Sequence, residues 1–333
     1  MSEKKLRPTL DDYILNVKDS YKYFCQKDHE NKNIPEFWTY WEQKMLTAMT
    51  TVYSNVLHDY LAEQMKVALK NNEFEKLRAM MYQSTFLENA PTGLTCGCDH
   101  IRRFYESMNY IASLGFSSVY RCFPEGIPLS SNGYNGSSLN VNLLLCILYN
   151  TLEKKLYDES VIIKRTEKQF LKKGDKVIVD TTRCLLGILK HDVGMFNIGL
   201  KGIITNYNRQ DLNSSEKVLC QYAVGLVVIA KKFLSQDEFN SVEYPDAKNF
   251  SKQYCEYIVS KDTFEPKTFF EYHDELSPLN QIALTPIPIT RLHKPYFNKP
   301  GYSKKEQNEN YLDVQRMALE FTMEYRKLFG LEK

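Results

Sequence analysis

Cys96, Cys98 and His100 stand on alternate residues of the run Cys96-Gly97-Cys98-Asp99-His100. Two thiolates and an imidazole are donors that zinc accepts in tetrahedral geometry. Zinc sites usually leave two or more residues between paired cysteines, and no second Cys/His pair forms a partner motif here. Cys122 would be a fourth ligand only if the fold carried it there. The run therefore has two readings, a metal site at Cys96, Cys98 and His100 or a loop with incidental thiols, and the second asks for less. A redox role for Cys96 and Cys98 is weaker, because nothing around them reads as the start of a thioredoxin-like helix.

Other candidates resolve into structural roles. His191-Asp192 ends an apolar stripe, where the imidazole would meet the helix dipole and Asp192 would cap the following helix. A catalytic dyad there would need a nucleophile and a third group, and none is suggested. Carboxylates are plentiful, but no spacing singles out an acid–base pair. No G-x-x-x-x-G-K-[ST], G-x-G-x-x-G, H-E-x-x-H or G-x-S-x-G appears. The six histidines, at 29, 58, 100, 191, 273 and 293, are scattered singly. No catalytic residue and no cofactor is expected.

The elements that would position these residues are helical. Trp38, Trp41, Met45, Met49, Val52, Val56, Leu57 and Tyr60 recur at helical spacing after Pro35, and Leu61, Met65 and Leu69 continue the stripe. A break at Asn71-Asn72 precedes a second helix from Phe74 to about Leu87. The middle, Pro91 to Ser138, is rich in turn signals apart from a helical stretch around Ile101 to Leu114. Residues 139–260 show further stripes. One runs from Leu143 to Leu156, another is read as starting at Lys164, one runs from Val177 to Leu189, and one from Met195 or Phe196 to Tyr207. Asn213 with Glu216 resembles a capping box before an amphipathic helix from Val218 to Phe233. Pro278, Pro286, Pro288, Pro295 and Pro300 exclude a long helix and suggest extended chain over the surface, before a last helix at about Lys304 to Leu328. The expectation is an all-α antiparallel bundle or helical-repeat-like array of nine to twelve helices. It is read as a single domain over 1–333, with possible subdivision at 1–90, 139–260 and 261–333.

Composition sets the environment. With 43 basic and 41 acidic residues the net charge is +2, which gives no bulk reason to expect nucleic acid. The first residues lack the apolar run of a secretory signal, and the longest apolar stretches fall short of the ~20 residues of a membrane span. The eight cysteines sit mostly singly in apolar context, as in Val141-Asn-Leu-Leu-Leu-Cys146, and read as buried thiols in a reducing compartment. A soluble, cytoplasmic protein is expected, without membrane or nucleic-acid partners. Tyrosine, present 23 times, is well suited to protein interfaces, though most aromatic rings serve packing.

The stretch from Cys184 to Tyr244 carries a resemblance. It reads CLLGILKHDVGMFNIGLKGIITNYNRQ, then KVLCQYAVGLVVIAKKF, then the segment with Tyr244-Pro245. A helix is followed by Asp192 and Phe196 entering a second, then by a Gly-Leu-x-x-x-Ala helix at Gly225 to Ala230. This resembles the C-terminal part of immunity-protein family 49 of bacterial polymorphic toxin systems. Tyr207-Asn208 stands where that family usually has a histidine, and residues 1–90 and the proline-rich tail have no counterpart. The resemblance implies an all-helical, non-catalytic protein that neutralises a cognate protein toxin by binding it. Tyr134, Tyr207 and Tyr244, with nearby acids, are then the candidate partner contacts. The alternatives are an enzyme with a site in 91–138, where Cys96, Cys98, Asp99 and His100 would act, and a helical scaffolding protein.

Overall fold

The structure, a computed structural model, describes residues 8–30, 55–86, 97–115, 136–150, 158–168, 175–207, 209 and 212–284, with positions 323 and 327. Thirteen α-helices and one 3-10 turn occur among these residues, without a strand, so the chain is all-α. The helices are α1 (Leu10–Glu30), α2 (Asn55–Lys70), α3 (Phe74–Phe86), α4 (Gly97–Leu114), α5 (Gly136–Leu148), α6 (Glu159–Glu167) and α7 (Lys176–Leu189). Then come α8 (Val193–Tyr207), α9 (Ser214–Val218), α10 (Gln221–Phe233), α11 (Gln236–Asn240), α12 (Lys252–Ile258) and α13 (Pro278–Leu284). The expected helices centred on Trp38 to Tyr60 and on Lys304 to Leu328 fall largely or wholly outside the described residues.

Local chemistry starts and stops these helices. Thr9 and Asp12 bond reciprocally at the head of α1, Asp12 N–H donating to Thr9 Oγ1 at 3.1 Å and Thr9 N–H to Asp12 Oδ2 at 2.7 Å. Asn72, at φ +56°, ends α2 in the left-handed conformation that asparagine tolerates, and the Glu73 N–H closes the turn on the Ala68 carbonyl at 2.8 Å. Asp175 caps α7 by accepting from Val177 N–H at 2.8 Å. His191, also at φ +56°, ends α7, and Asp192 caps α8 through Met195 N–H at 2.8 Å. The three-residue connection, Lys190 to Asp192, leaves α7 and α8 as an antiparallel hairpin. It closes tightly because position 199 has no Cβ: one there would lie 2.6 Å from the Asp180 carbonyl oxygen and 2.9 Å from the Cys184 nitrogen.

Five expectations need correction. The stripe from Leu143 to Leu156 breaks after α5, with Asn150 at φ +53°, and the helix expected from Lys164 starts at Glu159. The stripe from Val218 to Phe233 is two helices, because Leu219 is extended (φ −141°, ψ 122°) and the Cys220 N–H donates to the Asn249 carbonyl at 2.7 Å. Its second part, α10, is not amphipathic. Every residue from Gln221 to Ala230 is buried, as in a helix surrounded by core. The tail after Ser277 does not begin as extended chain. Pro278 opens α13, where its missing N–H costs nothing, and Leu279, Ile282 and Ala283 are buried at helical spacing.

α10 packs against α4, α7, α8, α11 and α12, and the buried side chains form one contiguous cluster. Helix α3 packs against both α2 and α4, with α9 against α2. The chain from 259 to 284 then returns over α3 and α1. Phe264 N–H donates to the Leu114 carbonyl at 2.9 Å, and the Tyr13 and Tyr272 hydroxyls share a bond of 2.8 Å. One buried cation sits in this region. The Arg78 guanidinium, its side chain 3 % exposed, donates to both oxygens of Glu75 (2.6 and 3.0 Å) and to the Ser113 carbonyl (3.2 Å). Both ends of the guanidinium are thereby satisfied.

Candidate functional site

Tyr207, at the last position of α8, lies in the core at 2 % exposure. Its ring stacks on Tyr222 at 6.1 Å, its hydroxyl donates to Glu216 at 3.2 Å, and burial pushes that hydroxyl well above its ordinary range. The side chain belongs to an interior aromatic group with Tyr105 and Tyr222, and no partner protein would reach it without unfolding this end of the hairpin. Glu216, read from its spacing as half of a capping box, does accept from Asn213 N–H at 2.9 Å.

Tyr244 is placed differently. It lies in the irregular segment after α11, half buried, with its ring against Phe250 at 6.1 Å and the Lys252 ammonium 5.7 Å from its centre. Partial burial, with Cys255 and Glu256 nearby, pushes its hydroxyl up to about 12, so it stays a neutral donor. The segment is held to the hairpin by Asn197 of α8. Its Nδ2 donates to the Ser241 carbonyl at 3.1 Å, and its Oδ1 accepts from Glu243 N–H at 3.0 Å. One amide thus fixes both sides of the loop beside Tyr244. Next to Asn197 on the helix, Ile198 is 62 % exposed, one of the large apolar side chains that the described surface leaves to solvent.

The segment's own charge is one-sided, although Lys252 stands over the Tyr244 ring and Lys231 over that of Phe239. Residues 237–246 read Asp-Glu-Phe-Asn-Ser-Val-Glu-Tyr-Pro-Asp, four carboxylates without a lysine or arginine. Glu238 is engaged by Ser235 N–H at 2.7 Å and by His191 Nδ1 at 3.1 Å, and the Ser235 backbone N–H chiefly holds its carboxyl below the usual range. Asp237, Glu243 and Asp246 are exposed, and among the described residues no cation pairs with their carboxylates. The result is an anchored tyrosine beside carboxylates without a cation partner among the described residues, on a loop held by the helix position next to an exposed isoleucine.

The remaining candidates fall mainly outside the described structure. Tyr134 and Cys96 lie outside the described residues. Cys98 and His100 belong to the first turn of α4, so this stretch is a helix start rather than the loop its turn signals suggest, and their side chains lie outside the described atoms. Among the described residues no group of three or more His, Cys, Asp or Glu is placed to hold a metal. Cys184, Cys220 and Cys255 are buried thiols raised by burial, Cys220 to about 12, so they pack as apolar groups. His58 Nδ1 and Ser215 Oγ are 2.9 Å apart, but both residues are buried and the bond ties α2 to α9.

Sequence reading missed Asn197 and Ile198. Ile198 stands off the buried stripe of Phe196, Leu200, Ile203 and Tyr207, a sign of exposure that its apolar type masks, and an asparagine in a helix gives no sign that it clamps a loop 46 residues away. Among the described residues no helix is long and apolar enough to cross a membrane. Comparison with family models, curated proteins and solved structures finds no match, so the reading of this face rests on its own geometry.

Proposed function

We propose that the protein is a cytoplasmic, non-catalytic binding protein, an immunity protein that neutralises a cognate bacterial toxin by covering it with the face around Tyr244. The observation that carries this reading is the combination of a pre-positioned tyrosine with neighbouring carboxylates that have no cation partner among the described residues, on a loop held by the helix that exposes Ile198. Tyrosine anchors with few rotamers to lose dominate many interfaces, and apolar contact beside them excludes water. Unpaired carboxylates at the rim attract a basic partner and speed its docking. A toxin surface rich in lysine or arginine fits that charge.

The test is co-expression with the product of a neighbouring gene. The expected result is a stoichiometric complex with a protein that is toxic alone and harmless when this chain is present. A neighbouring product that neither binds nor harms the host would remove the immunity reading. The face is tested separately by Tyr244→Ala, Ile198→Ala and Glu243→Lys, each expected to weaken the complex by about tenfold or more. Affinities within about twofold of wild type in all three would place the contact elsewhere.

A further inference from the structure

A second surface, formed where the start of α3 meets the chain after Tyr257, has a different chemistry. The start of α3 and the returning chain at 257–269 enclose an open cleft of about 740 Å³, within the size range of small-molecule sites. Phe74, Tyr257 and Phe269 line it, all partly exposed, with Ala79, Lys76 and Lys267. Phe74 and Tyr257 lie 5.6 Å apart, centre to centre, and the Lys76 ammonium stands 5.9 Å from the Phe269 centroid.

The charges around the cleft do not cancel. Both oxygens of Glu75 are taken by the Arg78 fork, and Oε2 also accepts from the Tyr257 hydroxyl at 2.5 Å. That anion is fully compensated before Lys267 is counted. Lys267, 57 % exposed, nevertheless stands 3.7 Å from Glu75. Lys76 balances Glu73 at 3.5 Å. Counting Arg78 buried behind the cleft, two carboxylates, Glu73 and Glu75, meet three cations, and Lys267, the most exposed of them and the one paired at the longest distance, carries the surplus. Aromatic surface left open beside a surplus ammonium suits a ligand with an apolar ring and one negative charge.

We infer that this cleft is a binding site for a small aromatic monocarboxylate, its ring against Phe74 and Phe269 and its carboxylate on Lys267. The site is independent of the Tyr244 face. Glu75 and Arg78 serve it as positioning residues, holding Tyr257 and the head of α3 while Lys267 keeps only a long contact to a carboxylate already paired. The full chain is titrated with hydrocinnamate and, in parallel, with its neutral amide, with binding read by saturation-transfer NMR. The acid is expected to bind about tenfold more tightly than the amide. Lys267→Met should remove most of that preference, Lys267→Arg should retain it, and Phe269→Ala should weaken acid and amide together. Lys248→Met, at an exposed lysine outside the cleft, controls for general loss of positive charge. Equal binding of acid and amide, an unchanged preference in Lys267→Met, or no binding of hydrocinnamate by the wild-type chain would overturn the assignment.

Discussion

Gln83 makes three hydrogen bonds from one buried amide. Its Nε2 donates to the Phe270 carbonyl at 2.8 Å, and its Oε1 accepts from Phe269 N–H at 2.7 Å and Phe270 N–H at 3.0 Å. Gln83→Leu keeps the volume and leaves those backbone groups without partners, so a loss of about 2–4 kcal/mol is expected in urea unfolding. Glu75 gives a pH dependence. The Arg78 guanidinium holds its carboxyl down to about 2, helped by the Tyr257 hydroxyl and opposed by partial burial. Its contribution is therefore complete above the ordinary carboxylate range and is lost as pH falls from there through about 2. The side chain is 45 % exposed, so solvent screening reduces the contribution to ~1 kcal/mol. Unfolding midpoints measured between neutral pH and pH 2 should fall more steeply in wild type than in Glu75→Gln. Equal slopes would show that the ion pair does not set the acid limb. The Glu75–Arg78 pairing was available in the sequence as an i, i+3 spacing on a helix. Nothing local told that Arg78 would be buried and Lys267 would join from 192 positions later.

At the scale of elements, caps were legible and close approaches were not. Asp192 stands immediately before an apolar stripe, and an aspartate there caps the following helix whatever surrounds it. The division between α9 and α10 had no such signal, because the group that takes the Cys220 N–H is the Asn249 carbonyl, reached only through the fold. Gly225 is the corresponding case in packing. α10 crosses α4 so closely that a Cβ at 225 would collide with the Met108 carbonyl oxygen, a backbone atom that cannot turn aside. Gly225→Ala would gain helix propensity and yet force the helices apart, with a net cost of about 1–3 kcal/mol. Thermal unfolding of this variant checks the sign. A stabilised protein would mean that α4 and α10 are not in contact at this point.

At the scale of the whole molecule, the returning segment joins the two ends of the described chain. The Tyr13–Tyr272 hydroxyl pair spans 259 positions, Lys18 meets Asp274 at 2.5 Å, and Tyr82 donates to the Ala283 carbonyl. The Tyr13 and Tyr272 rings also meet edge to face, 6.5 Å apart. Tyr13→Phe and Tyr272→Phe should each cost about 1 kcal/mol, and the double variant less than their sum, since the second loss removes a bond already broken. Full additivity in that cycle would dissolve the contact.

Sequence by itself determined the helical class, the ends of α3, α7 and α8, and the burial of the apolar stripes, because these follow from periodicity and caps that act over three or four residues. It could name Tyr207 and Tyr244 but could not tell them apart. Both are tyrosines at the edge of helical segments, and only the packing of α8 on α10 puts one in the core while Asn197 holds the other's loop at the surface. The same holds for charge. A count of +2 over 333 residues hides an acidic edge at 237–246 and a surplus ammonium at Lys267, since electrostatics depends on which charges become neighbours. Those neighbours are separated by tens to hundreds of positions, and only the tertiary structure brings them together.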